Sequence, residues 1–140
     1  YALLKKGIKK IFISNRTFKK AENIKKKFPF IEIIKWENIE TEIKSMNIII
    51  NTTSLGLKNG NDFMQEFKIT KSNLIYYDII YNPEETIMIK KFKENGVKTF
   101  NGLEMFMYQG QKSFALWNNV NPELDNDLKK IITSKLKWSQ

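Results

Sequence analysis

The sequence predicts an α/β chain on a doubly wound parallel sheet, and three observations carry that expectation. Short apolar runs alternate with segments of helical periodicity along most of the 140 residues. The runs end in turn-forming residues, where the next helical pattern begins. No repeat or low-complexity linker interrupts the series, so the alternation reads as successive parallel βαβ units.

Tyr1 to Gly7 (YALLKKG) reads as the last turns of a helix, with lysines at the negative end of its dipole and Gly7 as a stop. Lys9 to Ser14 is nearly continuous in apolar character, as for a strand covered on both faces. Phe18 to Phe28 places Phe18, Ala21, Ile24 and Phe28 on one helical face, and Pro29 ends it. Ile31 to Trp36 is the next strand, and Glu37 to Met46 a short helix through Ile39, Ile43 and Met46. Asn47 to Ile50 is a buried strand leading into the turn-rich NTTSLGLKNGND, followed by a poorly defined connector from Phe63 to Ser72.

Asn73 to Ile80 is a strong strand broken by Tyr81, Asn82 and Pro83. A helix from Glu84 to Asn95 stops at Gly96, and VKTF is a brief strand. Gly102 to Trp117 carries Leu103, Phe106, Met107, Phe114 and Trp117 along one stripe. Asn121 and Pro122 look like the cap and first turn of a last amphipathic helix through Leu124, Leu128, Ile131 and Ile132. One domain is expected, with residues 1–118 as sheet, crossover helices and cleft helix, and 119–140 as a terminal helix.

Composition narrows the chemistry. The chain has no cysteine and no histidine, so thiolate and imidazole work have no residue to perform them here. A reducing cytoplasm fits, no metal site is expected, and no apolar run approaches the eighteen or so residues that span a bilayer. The net charge of +9 is spread over lysines along helical segments, which reads as solvated helix faces. A basic nucleic-acid-binding module without catalysis is the alternative of another class.

In open α/β sheets ligands bind beyond the carboxyl ends of the strands, which directs attention to four stretches. Arg16, the one arginine in the chain, follows the first apolar run. A guanidinium at the end of the second strand of a dinucleotide fold suits a 2′-phosphate, whereas a carboxylate would suit a free 2′-hydroxyl. An exposed loop cation is the plain alternative, and Lys20 is either a second positive contact or simply solvated. Asn51 to Gly56 (NTTSLG) gathers amides and hydroxyls after a strand, with Gly56 free to take positive φ, though an ordinary polar turn would look the same. Tyr81 can bond a polar substrate or pack on Pro83, and Gln109 can bond a polyhydroxylated ligand or water.

The ordered set NRT-x-x-KA (15–21), NTTSLGL (51–57), YDIIYNPEET (77–86) and NGLEMFMYQG followed by FALW (101–117) resembles the carboxy-terminal, NADP-binding half of shikimate dehydrogenases. The resemblance implies a Rossmann-like fold and an NADP-dependent reductase of aromatic amino acid biosynthesis acting on 3-dehydroshikimate or shikimate. It assigns Asn15, Arg16, Thr17 and Lys20 to the adenosine phosphate end of NADP. Thr53 and Ser54 fall along the cofactor side, Ile79 by the nicotinamide and Gly102 against the cofactor, while Tyr81 and Gln109 fall at the substrate. Quinate-preferring relatives and other reductases with a similar turn, such as glutamyl-tRNA reductase, are the rivals. No membrane or nucleic-acid partner is implied, and a homodimer is admitted without being specified.

The sequence departs from the family pattern in two ways. Glu104 stands where the second glycine of NGLGM is usual, and a carboxylate there repels a phosphate or carboxylate unless it points away. The first strand and its glycine-rich pyrophosphate turn are not in these residues, nor are the family's catalytic lysine and aspartate. The sheet order 3-2-1-4-5-6 would then lack its central strand, and the stretch is expected to be an inactive piece of a longer chain.

Overall fold

The computed structural model describes residues 2–57 and 73–138, with side chains through 136; the expected connector from Phe63 to Ser72 lies outside them. The described residues fall into two compact units, within 1–46 and 47–140.

In the first unit, α1 (Ala2–Lys5) ends as expected at Gly7, which takes φ +78°. The Ile8 N–H reaches back to the Leu3 carbonyl, the bond that a left-handed glycine makes available. β1 (Phe12–Ile13) pairs in parallel with β2 (Glu32–Ile33), with α2 (Phe18–Lys27) as the crossover. Both strands are shorter than predicted, and residues 11–14 are half-buried rather than covered on both faces. Among the described residues β1 has a ladder on one side only. Ala21 is the fully buried contact of α2, while Phe18, placed on the same face by periodicity, is exposed. Trp36 opens a 3₁₀ turn (Trp36–Asn38) instead of ending a strand, and α3 (Ile39–Ile43) follows.

The second unit holds a three-stranded parallel sheet in the order β3 (Ile48–Asn51), β4 (Ile75–Asp78), β5 (Lys98–Phe100). Among the described residues β1 and β3 form no ladder. β4 is central, and Leu74, Tyr76, Asp78 and Ile80 alternate onto its buried face. α4 (Ile87–Glu94) covers that face with Met88, Ile89 and Phe92, and the Phe92 ring stacks on Tyr76 at 4.2 Å between centroids. β3 is less covered than its apolar run predicts: Ile48 and Ile50 are exposed at the sheet edge.

α5 (Leu103–Asn118) buries Leu103 and Met107, but Phe114 and Trp117 at its far end are exposed. The predicted stripe therefore packs only along its first half. The last helix, α6 (Asn126–Trp138), begins later than Asn121 and Pro122 suggest. Asp125 caps it, accepting from the Leu128 N–H at 2.7 Å, while the Pro122 carbonyl accepts from Gln111 Nε2 and holds the preceding segment against α5. No helix of the described residues is long and apolar enough to cross a membrane.

Candidate functional site

The predicted residues of the first unit gather in the turn between β1 and α2. Asn15 Oδ1 accepts from the Thr17 N–H at 2.9 Å, an Asx turn that redirects the chain from strand to helix. Thr17 is the N-cap residue of α2, yet its hydroxyl makes no capping bond. Arg16, Thr17 and Lys20 are all exposed, and among the described residues Arg16 and Lys20 enter no salt bridge. Neighbouring Lys19 is paired with Glu22 at 3.5 Å. No acidic residue lies in the first turn of α2, so Arg16 and Lys20 flank the positive end of its dipole with no carboxylate in that turn. That donor set fits a phosphate.

In the second unit Thr53 and Ser54 lie in the loop after β3, which is organised by the side chain of Asn51. The Asn51 amide nitrogen donates to the Leu55 carbonyl at 3.1 Å and to Asp78 Oδ1 at 3.2 Å. Its amide oxygen accepts from the Thr53 N–H at 3.0 Å and from the Thr53 hydroxyl at 2.7 Å. Thr53 Oγ1 in turn accepts from the Leu55 N–H at 3.1 Å. The Thr53 hydroxyl has thus given its one proton inside the loop and offers a ligand only acceptor capacity. Ser54 is exposed, and Gly56 takes the positive φ foreseen for it, +99°.

Ile79 and Gly102 come together where β4 and β5 end. The Ile79 N–H donates to the Asn51 carbonyl at 3.1 Å, and the Gly102 N–H to the Ile80 carbonyl at 2.9 Å. Gly102 is buried against the Ile79 backbone, which explains a glycine there without invoking a ligand. Tyr81 packs on α5, with its ring stacked on Phe106 at 4.6 Å and an interplanar angle of 21°. Gln109, one turn after Phe106 on the same face, is exposed. Tyr81 and Gln109 therefore share one side of α5.

Glu104 points away from that side. Two residues before Phe106, it lies roughly 200° around the helix from it and accepts from Lys129 of α6 at 2.9 Å. It lines a cleft of about 510 Å³ with Tyr77, Phe100 and Lys129 that contains none of the predicted site residues. Burial first, and then Glu104, raise the Tyr77 pKa.

Sequence reasoning missed Asp78. It is fully buried and accepts from Asn51, from the Ile80 N–H, from the Tyr76 hydroxyl and from Thr86 Oγ1, at 3.0–3.2 Å. Thr86, also buried, caps α4 by accepting from the Ile89 N–H. The available signal was a carboxylate on the buried face of an alternating strand, a place where it must be fully hydrogen-bonded. Burial and the adjacent Asp78 carboxylate hold the Tyr76 phenol protonated well above the usual range, so it remains a donor.

A family model for shikimate / quinate 5-dehydrogenase matches residues 1–104. The chain belongs to this family. The shikimate dehydrogenase (NADP(+)) of Pelagibacter ubique is 44% identical over 126 residues, covering 90% of this chain and 46% of that protein. The solved shikimate dehydrogenase of Aquifex aeolicus is 36% identical with a TM-score of 0.72, over 81% of this chain and 41% of its own. The Listeria monocytogenes enzyme, solved with shikimate and NAD, is 28% identical with a TM-score of 0.76, over 89% of this chain and 47% of its own. The chain spans about half the length of the curated relatives it matches. The parallel sheets with flanking helices agree with the Rossmann-like expectation, and the family membership removes glutamyl-tRNA reductase as a rival.

Proposed function

We propose that this chain is the cofactor-binding half of an NADP-dependent shikimate dehydrogenase that reduces 3-dehydroshikimate to shikimate. The observation that carries the cofactor choice is Arg16, exposed at the end of β1 and one turn from Lys20, neither of which enters a salt bridge among the described residues. A 2′-phosphate would supply the opposite charge, and the Asx turn of Asn15 and Thr17 sets the chain direction that presents the guanidinium. Asn15, Arg16, Thr17 and Lys20 hold the adenosine phosphate end. Thr53, Ser54, Ile79 and Gly102 border the nicotinamide end, with Gly102 acting through its packing on Ile79.

When bound, the cofactor supplies or takes up a hydride. The residues of this chain bind and orient: Tyr81, seated on Phe106, and Gln109 offer polar groups to the hydroxyls of the substrate. Proton transfer is assigned to the remainder of the enzyme, so residues 1–140 alone are inactive. A cytoplasmic location belongs to the same proposal. Oxidation of shikimate by the full-length protein, followed through NADPH absorbance, tests the reading. Turnover with shikimate well above that with quinate is expected, and no shikimate-dependent reduction of NADP would end the proposal.

A further inference from the structure

The two oxygens of Asp78 divide their partners between the core and the strand-end loops. Oδ2 accepts from the Tyr76 hydroxyl, whose ring is stacked in the core on Phe92, and from Thr86, which starts α4. Oδ1 accepts from the Asn51 amide, which grips the loop through Thr53 and Leu55, and from the Ile80 N–H, next to Tyr81. A carboxylate is acceptor-only, so it determines which way the Asn51 amide faces: the nitrogen must meet Asp78, leaving the oxygen for Thr53. A fully buried carboxylate costs more to desolvate than an apolar residue of similar size, so stability alone gives it no reason to be there.

We infer that Asp78 is a positioning residue for the reaction: through Asn51 and Ile80 its carboxylate holds the Thr53–Leu55 loop and the Ile79–Tyr81 turn to the sheet core in one arrangement. The inference rests on the assignment of Thr53, Ser54 and Ile79 to the cofactor and Tyr81 to the substrate.

Four variants of the full-length enzyme test it, read by hydrogen exchange at the Thr53 and Leu55 amides and by the KM for NADP. Asp78→Ala and Asn51→Ala should each speed loop exchange and raise the KM for NADP by about tenfold, the equivalent of one lost hydrogen bond. Their double variant should add little, since both cut the same link. Asp78→Asn should rescue both readouts: its carbonyl can still accept from Asn51 and Ile80, and its NH₂ would face the Tyr76 and Thr86 hydroxyls, which can accept. Wild-type loop exchange and KM in folded Asp78→Ala would overturn the inference; if that variant does not fold, Asn51→Ala decides in the same way. Faster loop exchange with an unchanged KM would also overturn it, by showing that the loop does not serve the cofactor, while leaving the Arg16 reading intact.

Discussion

Gly102 packs so tightly against Ile79 that a β-carbon at position 102 would overlap the Ile79 carbonyl oxygen. The obstacle is backbone, with no side chain to swing aside, so any larger residue must displace either the end of β4 or the start of α5. Gly102→Ala is expected to cost about 1–3 kcal/mol, in line with other overpacked sites. A denaturant titration of the full-length protein reads this as a lower midpoint, accompanied by a raised KM for NADP because Ile79 moves. An unchanged midpoint would show that the contact relaxes freely.

Tyr81 offers a cleaner separation of substrate from cofactor. Tyr81→Phe keeps the ring stacked on Phe106 and removes only the hydroxyl. The KM for shikimate should rise about three- to tenfold, the worth of one neutral hydrogen bond, while the KM for NADP stays at the wild-type value. Steady-state kinetics with each substrate varied in turn checks both.

Tyr76 predicts an alkaline loss of stability. Burial first, and Asp78 second, raise its pKa above the ordinary 10.0. Below that value both folded and unfolded phenols are protonated and the contribution to stability is complete. Above it the unfolded state releases its proton first, so stability falls as the pH rises. Tyr77, raised in the same direction, adds to the decline. Urea midpoints measured from about pH 8 to about pH 11 should fall less steeply in Tyr76→Phe than in wild type. At neutral pH the same variant should be less stable by about 1–2 kcal/mol, because Asp78 loses a donor.

Most of the secondary structure was legible because periodicity reports burial directly: the span of α2 with Ala21 buried, the alternation of β4 and the glycine stops at Gly7 and Gly96 lie where the pattern puts them. What failed depended on partners distant in sequence. Phe114 and Trp117 continue the stripe of Leu103 and Met107, but a stripe does not reveal how far its covering extends, and both are exposed. Asn121 with Pro122 has the chemistry of a helix start, yet Asp125 provides the cap.

The candidate site followed the same division. The turn at Asn15 to Thr17 and the polar loop after β3 could be located from residue types next to a strand end. The bonds joining Asn51, Asp78 and Thr86 could not, since residues 51 and 86 meet only through the parallel pairing of β3 with β4 and the packing of α4 on it. Resemblance assigns Gly102 a cofactor contact, and the packing of Gly102 on the Ile79 backbone is a constraint that no residue type in the sequence announces.

Neutralisation of the 2′-phosphate of NADP by Arg16 is read most directly from kcat/KM for NADP and for NAD in wild-type and Arg16→Ala full-length enzyme. Loss of a charge-assisted contact worth about 1.5–3 kcal/mol predicts that the NADP-to-NAD ratio falls roughly ten- to a hundredfold, with the value for NAD unchanged. An unaltered ratio, or an equal loss with both cofactors, would contradict the account.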